Sequence, residues 1–333
     1  MTTLALRAST KLLIDGHNLA LRCASAPALA KLTDRRGRST GIHHGFLRSV
    51  AAFQEASPNA RITVVFDGAP TRRKAMFADY KSNRPVSHGG VNPTIAWLKD
   101  TLPFMGVELA WNDGEEADDV IATMIASADP AERIVVVSTD RDFLQLVHEK
   151  GPIVEILAPP AQSIRATGKL YDVALVEHEY GVKPNAMVLL RAIVGDVSDT
   201  IPGARGIGPK IAAKLWRAMT AKFDGHLGCG AVLSDLDVLS LTYRLLHDGP
   251  KTMGPKTLTK LQCKRLLDAE DAVRRNVTLM TLLPDISVHV VPANPNEEAL
   301  LGRLRMFDLD TIAKTRAKKS KPIAPAHFSA AAM

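Results

Sequence analysis

Residues 114–147, GEEADDVIATMIASADPAERIVVVSTDRDFLQLV, set an apolar run between two groups of acids: Glu115, Glu116, Asp118 and Asp119 before it, Asp140 and Asp142 after it. Carboxylates this close repel one another unless a cation sits among them. Asp15, Asp67, Asp196 and Asp199 complete a set of nine candidate metal ligands with Glu116, Asp118, Asp119, Asp140 and Asp142. Oxygen-only donors select hard cations such as Mg²⁺ or Mn²⁺. A set this acidic can hold two ions about 3.5–4 Å apart, the arrangement that clamps a phosphodiester during in-line displacement by water. In EADD, Glu116 and Asp119 share one helix face while Asp118 points to another ligand position. Alone, EEADD reads as a helix start whose acids complement the macrodipole. The other carboxylate groups turn the reading toward metal.

These residues need elements to bring them together. KLLID (11–15), RITVVFD (61–67) and RIVVVSTD (133–140) are short β-branched runs, each ending in Asp. Between them lie helical patterns at 41–56, 92–105 and 116–128. Strands alternating with helices predict an α/β fold, a parallel sheet with helices on both faces, whose ligands gather at the carboxyl ends of the strands. Asp15, Asp67 and Asp140 all fall there. One such Asp is ordinarily a turn or cap residue; three together, with an acidic helix start beside them, are a site. From about residue 181 the pattern becomes mainly helical, with one further strand expected in ISVHVV (286–291). The chain is expected to divide into a catalytic core (1–180), a helical region (181–310) and a basic, disordered tail (311–333).

Two further stretches carry chemistry. In GDVSDTIPGARGIGPKIAAKLW (195–216), Gly203, Gly206 and Gly208 precede an apolar-periodic helix that begins near Pro209. Backbone N–H groups of such a turn can hold a phosphate. No strand precedes it and Pro209 breaks the P-loop pattern, so a helix–hairpin–helix gripping a DNA backbone is the better reading. DGAPTRRKAMFADYKSNRP (67–85) leaves a strand end with Arg72, Arg73, Lys74, Lys81 and Arg84. Lys81 and Arg84 are spaced as on one helical turn and would project over the acids. Tyr80 offers a ring on which an unpaired base could stack.

The totals agree. A formal charge of +7 on 333 residues favours a polyanionic partner. Three widely spaced cysteines, Cys23, Cys229 and Cys263, form neither a disulfide framework nor a zinc pattern, so a reducing, cytoplasmic compartment is expected. No apolar run reaches the roughly 20 residues of a membrane span, and no signal peptide is expected.

The stretches LLIDGHNLALR, DYKSNRP, EADDVIATMIA, VVSTDRDFLQLV and AIVGDVSDTIPGARGIGPKIAAKLW, in this order over residues 11–220, resemble the bacterial and phage 5′-nuclease family. That family comprises flap endonucleases and 5′–3′ exonucleases, including the nuclease domain of bacterial DNA polymerase I. AVRRNVTLMTLLPDI (272–286) is similar more weakly, and the chain is expected to resemble the free-standing nucleases rather than one joined to a polymerase. The resemblance implies a metal-dependent DNA phosphodiesterase acting in replication or repair. Asp15, Asp67, Glu116 and Asp118 would hold one Mg²⁺, and Asp140, Asp142 and Asp196 a second, with Asp119 and Asp199 in support and Mn²⁺ able to substitute. Lys81 and Arg84 would belong to a helical arch near residues 70–92 and act on the scissile phosphate. Tyr80 would stack a displaced base, and Arg72 and Arg73 are expected to bind DNA. Gly203, Gly206, Gly208 and Lys210 would grip the duplex in a helix–hairpin–helix that also takes K⁺. The implied partners are branched or 5′-ended DNA and an RNA–DNA hybrid, bound by a monomer with no membrane contact. VSHGG (86–90) departs from the family's arch by its two glycines and low charge. The rival readings are a nuclease of RNA and a DNA-binding protein without catalysis.

Overall fold

The computed structural model describes residues 2–3, 10–83, 91–160, 165–223, 235–248, 257–309 and 312. Arg84, the VSHGG stretch and, apart from residue 312, the expected tail at 311–333 lie outside the described residues. The strands are β1 (Thr2–Thr3), β2 (Thr10–Asp15), β3 (Arg61–Phe66), β4 (Glu108–Trp111), β5 (Arg133–Val137), β6 (Ile153–Ala158), β7 (Thr167–Tyr171), β8 (Gly195–Asp196), β9 (Ile201–Pro202) and β10 (His289–Val291). The helices before the chain turns helical are α1 (Gly16–Ala24), α2 (Pro27–Ala30), α3 (Gly41–Ala56), α4 (Thr71–Met76), α5 (Val91–Thr101) and α6 (Ala117–Ala126). Those after it are α7 (Val173–Tyr180), α8 (Met187–Val194), α9 (Pro209–Phe223), α10 (Asp235–His247), α11 (Lys260–Leu267), α12 (Glu270–Met280) and α13 (Glu297–Arg305).

Eight strands form one sheet in the order β1-β7-β6-β5-β2-β3-β4-β10. The central five, β6 to β4, run parallel, with β7 and β10 antiparallel at the flanks. Central β2 shows why. Leu12, Leu13 and Ile14 are all fully buried, the continuous apolar run expected where helices cover both faces. Their side chains alternate: Leu13, Val65 and Val136 enter one core, Leu12, Ile14, Val64 and Val135 the other. Each such burial contributes about 1.5–3 kcal/mol. The first of these cores continues past residue 181 through α8, α9, α10 and α12.

Three of the four strands read from the sequence carry the acids, and the fourth, expected at 286–291, is β10 over His289–Val291; β4, β6 and β7 were not separately read. Asp15 closes β2, Asp67 follows β3 directly, and Asp140 lies three residues beyond β5. Each of the first two is followed by a glycine whose backbone passes too close to a neighbour for a side chain. A Cβ on Gly16 would lie 2.9 Å from the Val65 carbonyl oxygen, and one on Gly68 1.9 Å from that of Asn112. The two DG pairs are therefore tight exits from the sheet that leave the aspartates at its edge.

Farther along, α8 and α9 flank the β8–β9 ribbon and the glycine turn. Fully buried Asn276 of α12 fixes this unit: its Nδ2 donates to the carbonyls of Ala192 (3.0 Å) and Pro202 (2.8 Å). After α12 the chain returns to the sheet as β10, antiparallel to β4. No helix among the described residues is long and apolar enough to cross a membrane.

Candidate active site

One cavity of about 390 Å³ opens at the carboxyl edge of the sheet, lined by Asp15, Asp67, Glu116, Asp118 and Asp140 with His17, Lys81 and Ser198. Five of the nine predicted ligands therefore share one space, although more than 120 residues separate Asp15 from Asp140. All three strand-end aspartates also act as caps. One oxygen of Asp15 accepts the Asn18 N–H (3.0 Å), Asp67 accepts that of Ala117 (2.8 Å), and Asp140 accepts that of Asp142 (2.9 Å). Capping and lining the site are thus compatible: the cap bond fixes each carboxylate's direction and leaves it facing the cavity.

Burial, then the neighbouring Asp67, pushes Asp15 up to about 7, against the hydrogen bonds of Asn18 and Ser138. Asp142 is likewise pushed up to about 7 by burial and Asp140. Burial also lifts Asp118 well above the usual carboxylate range. Glu116 goes the other way: burial works against its charge, but Lys81 and Arg73 outweigh it and hold the carboxyl low. Such a cluster carries more negative charge than its surroundings accommodate, and hard oxygen donors are the ligands Mg²⁺ and Mn²⁺ take. The donors fit divalent cations in type and number. Among the described residues, however, no three His, Cys, Asp or Glu side chains close as a ready-made chelate. Protein cations sit on the acids instead.

Those cations correct several expectations. Arg73, expected at the DNA, is only 1% exposed. Its guanidinium donates to Glu116 (2.9 Å), Asp118 (3.3 Å) and Asp119 (2.5 and 3.0 Å), and its Nε to the Leu279 carbonyl (2.9 Å). Arg72 pairs with Glu115 (3.4 Å) and Asp119 (3.6 Å). Both arginines turn inward because α4 packs against the acidic first turn of α6. Asp119, expected to support a metal, is fully buried behind the site, facing Arg73 and accepting the Leu283 N–H (3.0 Å).

Tyr80 is 4% exposed, not a free stacking platform. Its hydroxyl donates to Glu116 (2.8 Å) and lies 3.5 Å from Asp199. Lys81 occupies a turn with φ of +56°, beyond the end of α4 at Met76, and not the helix expected of it. Its ammonium pairs with Glu116 at the cavity wall and lies 3.9 Å from Asp199. Asp199, mostly buried, also accepts the Lys81 N–H through its carbonyl (3.0 Å).

Asp142 and Asp196 stand beside the cavity, bridged by Arg191 at 2.5 and 2.6 Å. Arg191 and His17 were not picked out from the sequence. The His17 ring accepts the Asp67 N–H at Nδ1 (2.9 Å), and burial holds its pKa below the usual imidazole value. Its place in IDGHN, two residues past Asp15, was the available signal. Arg191, in LLRAIVGD, carried none apart from its lying five residues before Asp196.

The glycines of the hairpin differ in kind. Gly203 is packed shut, since a Cβ there would lie 2.1 Å from the Val194 carbonyl oxygen. Gly206 takes φ of +73°, the left-handed region. Gly208 has nothing within 4 Å of an added Cβ, and Lys210 is exposed in the first turn of α9.

The model of the 5′-3′ exonuclease N-terminal resolvase-like domain matches residues 10–181, just over half of the chain. DNA polymerase I of Pseudomonas aeruginosa is 35% identical over 205 residues, covering 61% of this chain and 21% of that protein. DNA polymerase I of Deinococcus radiodurans is 33% identical over 312 residues, covering 90% and 29%. The chain thus spans less than a third of these relatives. A solved structure of the bacteriophage T5 D15 flap endonuclease, complexed with DNA and metal ions, has the same fold: TM-score 0.57, 19% identity, 93% of this chain and 98% of that one. With that domain's model matched across the parallel sheet and all five acids of the cavity, the chain belongs to the 5′-3′ exonuclease family.

Proposed function

We propose that this chain hydrolyses phosphodiesters of branched or 5′-ended DNA as a 5′–3′ exonuclease and flap endonuclease, in replication or repair. The observation that carries the reading is the cavity in which acids from three strand ends and the start of α6 meet Lys81. Asp15, Asp67, Glu116 and Asp118 would hold one divalent cation, Asp140, Asp142 and Asp196 another. Bound there, Mg²⁺ or Mn²⁺ supplies Lewis acidity and a water of lowered pKa. His17 and Ser138 orient Asp67 and Asp15, and the caps hold the carboxylates toward the cavity. Arg191 draws Asp142 and Asp196 to one place. The open face of Gly208 and the exposed Lys210 suit a duplex phosphate, with K⁺ as a further occupant of that turn. The enzyme works as a monomer, and an RNA–DNA hybrid is a second substrate.

The test is a labelled 5′-flap DNA and a matched RNA, each with Mg²⁺ and with EDTA. Cleavage of the DNA only with Mg²⁺ is expected. Preferred cutting of the RNA, or binding without cutting, would favour the rivals.

On this reading Lys81, lining the cavity, stabilises charge building on the scissile phosphate. Lys81→Ala is expected to lower the single-turnover rate at saturating DNA and metal by about 10²–10³ with little change in affinity. A rate constant within about threefold of the parent, roughly 0.7 kcal/mol of barrier, removes that role.

A further inference from the structure

Beyond Asp140 the sheet edge holds a second cavity of about 270 Å³, above β5, β6 and β7 and against the end of α7. Asp140 lines both cavities. Between them stands a hydrogen-bonded pair, Asn18 of the first and Thr139 of the second, at 2.9 Å. The second cavity is chemically unlike the first. Tyr171 and Tyr180 form part of its wall and Ile156 and Leu144 its apolar floor. Tyr171 is held in place by its hydroxyl on Glu179 (3.1 Å) and by Lys169, 5.1 Å from the ring centroid. Arg141 lies at the rim, exposed and without a hydrogen bond or ion pair among the described residues.

Aromatic rings beside a cation are what single-stranded nucleic acid binds: the base stacks and the backbone meets the charge. The volume is below the roughly 300–1,000 Å³ of pockets for drug-sized ligands and suits one nucleoside. Glu179 in the wall disfavours a doubly charged free phosphate, whereas a phosphodiester carries one charge. The wall shared through Asp140 sets the occupant next to the reacting bond. Resting on the DNA-cleaving function proposed above, we infer that this cavity seats the unpaired nucleoside adjoining the scissile phosphate, its base on Tyr171 and Tyr180 and its phosphodiester at Arg141.

The experiment is equilibrium binding in EDTA, where no turnover occurs, to an intact 5′-flap DNA and to flaps abasic on one or the other side of the cleavage position. In the parent, one of the two abasic sites is expected to weaken binding about tenfold. In Tyr180→Leu the same site should cost less than about twofold, the base having already lost its platform. Equal losses in parent and variant, or no loss in the parent, overturn the inference. Arg141→Gln, at an exposed position, gives a second reading: it should lower the salt slope of binding by about one phosphate contact. An unchanged slope counts against the site even where Tyr180→Leu does not fold. Mg²⁺-dependent cleavage of the intact flap by the parent is recorded alongside. Cleavage without base dependence defeats this inference alone, while failure to cleave defeats the function on which it rests.

Discussion

Asp140→Asn is expected to lower cleavage by orders of magnitude while DNA binding stays near the parent's or tightens. The substitution is nearly isosteric. Asn keeps an oxygen for the Asp142 N–H, bonded at 2.9 Å, so the short helix that follows retains its cap. What disappears is one negative charge at the wall between the two cavities. On the proposed function a divalent cation would be held there by charge, so metal chemistry should suffer. DNA affinity rests on phosphate contacts spread over the surface and loses nothing; relief of repulsion between acid and phosphate pushes it upward. Turnover and affinity measured on the same preparation decide the matter. Near-normal turnover by the variant would remove Asp140 from the metal site.

The sequence disclosed what is periodic and what is repeated. Short β-branched apolar runs marked β2, β3 and β5, and because parallel strands end at one edge, their terminal aspartates could be placed together before any coordinates. Which way a helical side chain turns was not legible, because it depends on what packs against the helix. TRRKAM reads as a basic face; α4 in fact lies on the acidic turn of α6, so Arg72 and Arg73 point inward. Tyr80 and Lys81 read as positions on a helix that ends at Met76. The turn that follows buries the ring and brings the ammonium to Glu116. Arg191 was missed for another reason: a single cation in an apolar run has no spacing to betray it, whereas His17 could have been found from its place beside Asp15. The cap-or-site choice weighed for each Asp was a false alternative, since one carboxylate has two oxygens and several lone pairs.

Arg73 supplies the largest effect expected on the folded state. It is a nearly inaccessible cation among Glu116, Asp118 and Asp119, and its Nε reaches the end of α12 at Leu279. Burial disfavours its charge, but the three acids outweigh burial and hold the guanidinium firmly protonated. Arg73→Met keeps the length of the side chain and removes the charge, leaving buried carboxylates without their partner. Removing one side of a buried pair costs about 3–5 kcal/mol, so the denaturation midpoint should fall by that equivalent at unchanged slope. Added Mg²⁺ should restore more stability to the variant than to the parent, because the freed acids gain a ligand that binds the folded state. A surface arginine that merely touches DNA predicts the reverse pattern: unchanged stability, and affinity reduced by one phosphate contact. Denaturant titrations of both proteins with Mg²⁺ and with EDTA separate the two. A loss below about 1 kcal/mol in EDTA would mean that the acids tolerate one another without Arg73, and its place as their internal counter-ion would fall.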